Sequence, residues 1–339
     1  MFINLTIHFF LIYSKGRWNK LNRRLSKLIK EYEKYQDKVI DLACNNAYLT
    51  KDTLKDLTQN IYLNIKNKQY QDIEDLLKYT INILFKCKYI KIFNENDFLN
   101  KNIFYLNYSN NDDYIVSPDR GLIDYEELQK IIISENPKYI FVGSTYYTRF
   151  IDYKKIKEIA NLINAKLIVD ISNISGLILT NKVPSPFEYA NYIICTLNKQ
   201  LQGTNETILL SNTNELTYDL SINSTINTLN TLLNVTTDEY KELINNCLIN
   251  TKELQKSLEE ENISLLSLGT DNNLLIINTE INYQIKCKDA FNLLLKNDII
   301  IKENNLGIIL NTSNMTFKGY TPNDFYLLGK KINKILKEK

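Results

Sequence analysis

From Tyr139 onward, short apolar runs alternate with a stretch of helical spacing. Tyr139 to Val142 is apolar, Tyr153 to Ile163 repeats its apolar residues with the helical period, and Leu167 to Val169 is apolar again. Two further apolar runs follow at Tyr192 to Cys195 and Thr207 to Leu210. Continuous apolar strands that alternate with amphipathic helices are typical of a mostly parallel sheet covered by helices. This part of the pattern predicts an α/β fold.

A second group of elements is predicted toward the end of the chain. The pattern predicts a long helix, a strand, a helix, a strand and a final helix, at Asp238 to Glu259, Leu274 to Ile277, Lys288 to Leu295, Ile299 to Ile301 and Pro322 to about Leu336. No internal repeat or proline-rich linker is visible. Since 339 residues exceed one ordinary domain, we expect a large α/β domain followed by a smaller α+β domain.

Two residues next to predicted strands carry candidate chemistry. Asp170 closes the run that begins at Leu167, and Lys199 lies in the turn between the last two strands of the first group. Open α/β sheets place their ligands beyond the carboxyl ends of their strands. A carboxylate keeps the ring nitrogen of pyridoxal phosphate protonated, and a lysine amine forms the Schiff base. Taken alone, Lys199 is one of many lysines and Asp170 an ordinary turn residue.

Three motifs around these residues strengthen the interpretation. They read Leu167-Ile-Val-Asp170-Ile-Ser-Asn173-Ile-Ser-Gly176-Leu177, Val183-Pro-Ser-Pro-Phe-Glu-Tyr-Ala190 and Thr196-Leu-Asn-Lys199-Gln-Leu-Gln-Gly203. In order and spacing they resemble Val-Asp-Met-Ala-His-Ile-Ser-Gly-Leu, Pro-Ser-Pro-Phe-Glu-Tyr-Ala-Asp and Thr-Thr-His-Lys-Thr-Leu-Arg-Gly. These are motifs of the serine hydroxymethyltransferase family, also called glycine hydroxymethyltransferase. The resemblance extends back to Ser117 and forward to Gly319.

The resemblance implies a fold, a cofactor and a reaction. It implies the pyridoxal-phosphate transferase fold type I, which is aspartate-aminotransferase-like, with a large domain at 31–247 and a small C-terminal domain at 248–339. The family reaction converts serine and tetrahydrofolate to glycine and methylenetetrahydrofolate, in dimers with shared active sites. Lys199 takes the Schiff-base position. The implied cofactor-binding residues are Asp170, Ser172, Asn173, Thr145, Thr196 and Asn198.

Several family positions hold residues that cannot perform the family chemistry. Asn45 stands for the glutamate of Ala-Ser-Glu-Asn, and Asn173 and Asn198 stand for two histidines, so none of the three exchanges a proton near neutral pH. Ile309 stands for the arginine of Leu-Arg-Leu-Gly-Thr, which grips the substrate carboxylate. The only histidine is His8, which excludes histidine triads and histidine metal sites from the rest of the chain. We therefore predict no metal site.

Glycine-rich turns of the family are also missing. Between Arg17 and Arg120 the chain has no glycine, where the family keeps a folate-contacting loop and a phosphate-binding turn that needs positive φ. Another glycine-rich loop is replaced by Asn- and Thr-rich sequence near Asn223 to Asn234. The sequence therefore predicts a pseudoenzyme with strongly impaired or lost catalysis. The alternatives are residual slow pyridoxal phosphate chemistry and a noncatalytic partner or regulator, as a homodimer or as a heterodimer with an active family member.

Composition and charge limit the compartment and the partners. The net charge of +2 predicts no nucleic-acid partner, and five scattered cysteines indicate no disulfide framework. No apolar run reaches the about 20 residues that a membrane span requires. Residues 1–30 are basic and free of acidic residues, which predicts a mitochondrial targeting segment. The alternatives are a secretory segment at Ile7 to Tyr13, disfavoured by the charge that follows it, and a plain cytoplasmic arm.

Overall fold

The computed structural model describes residues 40–43, 70–94, 102–106, 121–143, 146–213, 216, 218–304 and 306–338. Asp41–Lys339 forms one compact unit. The first described strand is β1 (Ile40–Asp41). The predicted site residues Asn45 and Thr145 and the predicted leader at 1–30 lie outside the described residues.

Six strands form the central sheet. They are β2 (Tyr89–Ile92), β3 (Ile103–Leu106), β4 (Tyr139–Gly143), β5 (Lys166–Asp170), β6 (Tyr192–Thr196) and β7 (Thr207–Ser211). Their order is β2-β7-β6-β5-β4-β3. The neighbours from β6 to β3 are parallel, while β7 is antiparallel to both β6 and β2. The prediction of an α/β fold with a mostly parallel sheet is confirmed.

Both faces of this sheet are buried. Along β4, Ile140 and Val142 belong to the large hydrophobic core, whereas Phe141 between them packs with Ile168 and Ile194 in a smaller cluster. Successive strand side chains point to opposite faces. Because both faces exclude water, the central positions of β4, β5, β6 and β7 are apolar, and the sequence therefore reads as continuous runs rather than as an alternating pattern.

Helices accompany the sheet along the chain. They are α1 (Tyr70–Phe85), α2 (Tyr125–Glu135), α3 (Tyr153–Leu162), α4 (Ser175–Leu179), α5 (Ile222–Val235) and α6 (Asp238–Glu260). Asp124 and Thr237 cap α2 and α6, since each side chain accepts a backbone N–H of the first turn. The Asn- and Thr-rich sequence near Asn223 to Asn234 lies within α5, which packs against α1. Thr225, Thr228 and Thr231 of α5 are buried.

The remaining elements include a second, three-stranded antiparallel sheet, a short strand outside it, and several helices. They are β8 (Leu274–Ile277), α7 (Thr279–Tyr283), α8 (Cys287–Lys296), β9 (Ile299–Ile300), β10 (Lys302–Asn304), β11 (Gly307–Asn311), α9 (Ser313–Phe317) and α10 (Pro322–Lys337). The sheet order is β10-β11-β8. A capping box of Thr321 and Asp324 starts α10, which packs along α6. The predicted elements of this region are confirmed within about two residues.

A short segment from the start of the unit is joined to the second sheet. Leu42 N donates to Ile300 O at 2.7 Å, and Asn311 N donates to Leu42 O at 2.7 Å. Asn314 Nδ2 also donates to Asp41 Oδ2 at 2.7 Å. Leu42 itself is fully buried. The segment Asp41–Ala43 therefore bridges β9 and β11.

The predicted domain boundary, between 247 and 248, lies inside α6. One continuous helix thus serves both predicted domains, and the division stays a prediction.

In the described part of the chain, no helix combines the length and the apolar content that crossing a membrane would require.

Candidate functional site

Asp170 lies at the carboxyl end of β5, and its carboxylate is held from one side. Its Oδ1 accepts two hydrogen bonds from Ser172, one from the backbone N at 2.8 Å and one from Oγ at 2.5 Å. Among the described residues, Oδ2 has no hydrogen-bond partner. The carboxylate is half-buried. One oxygen is therefore fixed, and the other is available to a donor.

Thr196 ends the neighbouring strand β6 and approaches the same serine. Its backbone N donates to Ser172 Oγ at 2.9 Å, and its Oγ1 lies 3.0 Å from Ser172 Oγ. On its other side, Thr196 Oγ1 is 2.9 Å from Thr207 Oγ1 at the start of β7. The structure thus brings together three of the residues that the sequence predicted, Asp170, Ser172 and Thr196.

Lys199 lies in the turn between β6 and β7, as predicted, and both of its neighbours are anchored. Asn198 Nδ2 donates to Asn205 Oδ1 at 2.8 Å. Gln200 is fully buried, its Oε1 accepts Gly176 N at 2.9 Å, and its Nε2 donates to Ser313 Oγ at 3.3 Å. The half-buried Lys199 amine makes no hydrogen bond or ion pair within the described part of the chain. A rigid turn thus carries an amine without a competing partner.

The pKa of the Cys195 thiol is affected by the charges of both Asp170 and Lys199. Burial, and after it the negative charge of Asp170, raises the pKa of the Cys195 thiol, while the positive charge of Lys199 acts in the opposite direction. The thiol is completely buried and stays protonated at neutral pH. Cys195 is therefore a core residue rather than a nucleophile, although it lies within electrostatic range of Asp170 and Lys199.

Comparison with known proteins gives the ancestry. A family model described as serine hydroxymethyltransferase matches residues 99–234. The serine hydroxymethyltransferase of Mycoplasma mycoides subsp. mycoides is 32% identical over 247 residues, covering 66% of this chain and 60% of that protein. The cytosolic serine hydroxymethyltransferase of Saccharomyces cerevisiae is 31% identical over 256 residues, covering 65% of this chain and 55% of that protein.

The chain belongs to the serine hydroxymethyltransferase family. It spans about 60% of the length of the curated Mycoplasma relative. The family has the pyridoxal-phosphate fold type I, and the mostly parallel central sheet of this member agrees with it.

Ile309, which the sequence resemblance assigns to the family's arginine position, packs against apolar side chains. It lies in the middle of β11 opposite Ile276 of β8 and is 2% exposed. Leu274 and Ile276 pack against it, and Tyr146 and Leu266 cover the cluster. The isoleucine side chain itself offers a substrate carboxylate neither a charge nor a hydrogen-bond donor.

The guanidinium of Arg149 is occupied by contacts within the protein. Its Nε donates to Ser267 O at 2.7 Å, one terminal nitrogen donates to Leu268 O at 2.6 Å, and the other donates to Asp271 Oδ1 at 2.8 Å. All three nitrogens of the guanidinium are therefore engaged in joining the segment after β4 to the loop before β8. This serine hydroxymethyltransferase family member has no arginine beyond Arg149 in its sequence.

Asn173 and Asn198, which the sequence resemblance assigns to two histidine positions of the family, are buried. A side-chain amide donates and accepts hydrogen bonds but does not titrate near neutral pH.

Within the described residues, no group of three His, Cys, Asp or Glu side chains is placed to hold a metal ion. Gln200, which anchors the lysine turn, was not among the residues predicted from the sequence. The signal for it was a polar residue directly before Leu201, which belongs to the core.

Proposed function

We propose that this chain retains a pyridoxal phosphate position and has lost efficient interconversion of serine and glycine. The residues at the carboxyl ends of β5 and β6 and in the turn after β6 meet two requirements of the cofactor. The Lys199 amine has no competing partner among the described residues, and Asp170 keeps one free carboxylate oxygen. Bound pyridoxal phosphate would supply an electron sink for reactions of a primary amine. Binding and proton transfer would depend on the protein itself.

The observation that carries the proposed loss is the apolar surrounding of Ile309. A charge-assisted contact to a substrate carboxylate is worth about 2 to 5 kcal/mol by analogy with buried charge pairs. That range corresponds to a factor of about 30 to several thousand in affinity. Ile309 is 2% exposed and packs against Leu274 and Ile276. The affinity of this chain for every amino-acid substrate is therefore lower by that factor.

Proton transfer is the second support for the proposal. The Asn173 and Asn198 amides remain neutral, and the Ser172 and Thr196 hydroxyls do not ionise near neutral pH. None of these groups is matched to general acid–base catalysis, which contributes about 10²- to 10⁴-fold where present. Residual chemistry at Lys199 would consequently be slow.

The test uses ligand pairs that differ only by a carboxylate. The chain is first titrated with pyridoxal phosphate, and the visible absorption band of lysine-bound cofactor is followed, with Lys199→Ala as the control. Glycine is then compared with methylamine, and serine with ethanolamine, by their effect on that band. We expect affinity ratios near one for each pair. A preference of more than about 30-fold for the amino acids would refute the loss of the carboxylate contact.

A turnover assay completes this test. Serine is incubated with the loaded protein and tetrahydrofolate, and glycine formation is followed. We expect a rate far below the ordinary range of about 1 to 10³ s⁻¹. Turnover within that range would refute the proposal even if the ligand pairs behaved as expected.

A noncatalytic role in an assembly is the second candidate. It is favoured by three exposed apolar side chains on one face of α1, namely Leu76, Tyr79 and Ile83, which are 36%, 65% and 58% exposed. Such a face fits a homodimer or a heterodimer with an active family member. Light scattering of the purified chain, alone and mixed with an active serine hydroxymethyltransferase, is the test. A monomer under both conditions would contradict this role.

The compartment is a separate proposal. The basic leader at 1–30 supports mitochondrial import. Fluorescence of a fusion with the full chain, compared with a fusion that lacks residues 1–30, tests it. Identical cytoplasmic fluorescence from both fusions would show that the segment does not direct import.

A further inference from the structure

Three hydroxyl groups form a chain across the end of the central sheet. It begins at Thr207 on β7, continues through Thr196 on β6 and Ser172 after β5, and ends at Asp170. The consecutive oxygen–oxygen distances are 2.9, 3.0 and 2.5 Å. Ser172 is 1% exposed, so water does not replace these contacts. The chain lies at the strand ends where Lys199 also emerges.

The proton directions in this chain follow from simple counting. Ser172 has one hydroxyl proton, and an ionised Asp170 carboxylate has none to donate. The shortest contact of Ser172 Oγ is with Asp170 Oδ1, so the serine proton points there. Ser172 Oγ accepts from Thr196 N. With the serine proton on Asp170, the 3.0 Å contact between the two hydroxyls takes the Thr196 proton, and Thr207 Oγ1, which can act as donor or acceptor, is then the donor to Thr196 Oγ1.

We propose that Ser172 and Thr196 are positioning residues that act through Asp170 and fix the plane of its carboxylate, so that one oxygen stays with Ser172 and the other faces a ligand. The inference rests on the proposed cofactor position. The terminal torsion of an aspartate is broad and roughly two-fold, so a carboxylate without fixed donors rotates between orientations. Two donors from Ser172 hold Oδ1, which leaves Oδ2 as the acceptor for the protonated ring nitrogen of the cofactor.

The hydroxyl at position 172 distinguishes this chain from the family motif. Val-Asp-Met-Ala-His has alanine at the position of Ser172 and histidine at the position of Asn173. An alanine has no hydroxyl with which to hold the aspartate. In this chain, where no histidine follows Asp170, a serine donor instead connects the carboxylate to Thr196 on the next strand.

Crystal structures of the full chain provide the first test. In the unmodified protein we expect the Asp170 carboxylate in a single plane, with one oxygen toward Ser172. In Ser172→Ala only the backbone N–H of residue 172 remains, and we expect the carboxylate to turn out of that plane or to occupy two planes. An unmoved carboxylate in Ser172→Ala would overturn the inference.

Cofactor titration provides the second test, read from the visible band of bound pyridoxal phosphate. We expect roughly tenfold weaker binding for Ser172→Ala, since one charge-assisted bond near the lower end of its range is lost. Thr196→Val keeps the N–H donor to Ser172 and should lose about threefold, whereas Thr196→Ser keeps the hydroxyl and should bind as the unmodified chain does. Equal affinities for Thr196→Val and Thr196→Ser would overturn the role of the Thr196 hydroxyl.

A matched control separates positioning from loss of stability. Ser257 is also a fully buried serine, and its Oγ donates to Tyr326 O at 2.6 Å, on the contact between α6 and α10. Ser257→Ala should reduce stability much as Ser172→Ala does, yet leave cofactor binding unchanged. If both variants weakened binding equally, Ser172 would be a structural residue only.

The two proposals fail in different ways. If the unmodified chain binds no pyridoxal phosphate, the proposed cofactor position is wrong, and the orientation of Asp170 in the two crystal structures still decides the role of Ser172. If the chain binds the cofactor and Ser172→Ala binds it equally well, the cofactor position stands and the positioning role is wrong.

Discussion

Exchanging Arg149 for lysine preserves the charge and should nevertheless destabilise the protein. The guanidinium donates to three separate acceptors, Ser267 O, Leu268 O and Asp271 Oδ1. Two of these carbonyls belong to consecutive residues with φ of 57°, in the left-handed region. A planar fork serves acceptors that surround it, whereas an ammonium group donates from a single point. Lysine at this position reaches at most one or two of the three.

The magnitude follows from the bonds that are lost. Each hydrogen bond from a charged group contributes about 1.5 to 3 kcal/mol. The side chains of Arg149 and Asp271 are 26% and 27% exposed, so water partly replaces what is lost. We therefore expect Arg149→Lys to lower the free energy of unfolding by about 2 kcal/mol. This value is near the lower end of the range for losing one to two hydrogen bonds from a charged group.

Urea unfolding followed by circular dichroism measures this change, provided that the slope of the transition stays constant. Asp271→Asn and the double variant complete a cycle that isolates the ion pair from the two carbonyl contacts. A loss below about 0.5 kcal/mol, the range of ordinary surface substitutions, would show that the forked geometry is not what stabilises this loop.

Three further predictions concern single positions. Leu268→Asn should raise the free energy of unfolding by about 1 kcal/mol, because the exposed Leu268 has a left-handed φ that asparagine tolerates better than leucine. An unchanged free energy of unfolding in urea would contradict this. Gly203→Ala should cost about 1 to 3 kcal/mol, since its Cβ would meet Thr231 Oγ1 at 2.5 Å, and Thr231→Ala in the same chain should restore most of the loss. Burial raises the pKa of the Cys87 thiol to about 12. The folded state therefore keeps a proton that the unfolded state loses above about pH 9, and stability should fall between pH 9 and 12, less steeply in Cys87→Ala; equal slopes for both chains would refute the assignment to Cys87.

The sequence predicted the buried strands well and the polar helix poorly. Strands such as Leu167 to Val169 are short apolar runs rich in β-branched residues, and their length and composition favour a strand that is buried on both faces. The stretch from Asn223 to Asn234 is rich in asparagine and threonine, which are weak helix formers. It is helical in α5 because its buried face packs against α1, a tertiary effect that no local pattern reveals.

The places of several candidate residues in the fold were predictable from the sequence, whereas their contacts were not. Asp170 and Thr196 lie at strand ends and Lys199 lies in the turn after β6; their roles, and the assignment of Ile309 to the family's arginine position, stay predictions. The hydrogen bonds between Ser172 and Thr196 join residues 24 positions apart, and neither spacing nor composition encodes them. The predicted roles of Asn45 and Thr145 stay predictions, since both residues lie outside the described part of the chain.

The bridge made by Leu42 has a consequence for synthesis on the ribosome. Asp41 N contacts Met315 Sδ, a residue 274 positions later. At about 5 to 20 residues per second, that interval takes about 14 to 55 seconds to translate. During this time the segment lacks the partners Ile300 and Asn311 that later enclose it. A nascent chain stalled before residue 300 should therefore expose Leu42 to a chaperone or a protease, and release of the full chain should end that exposure.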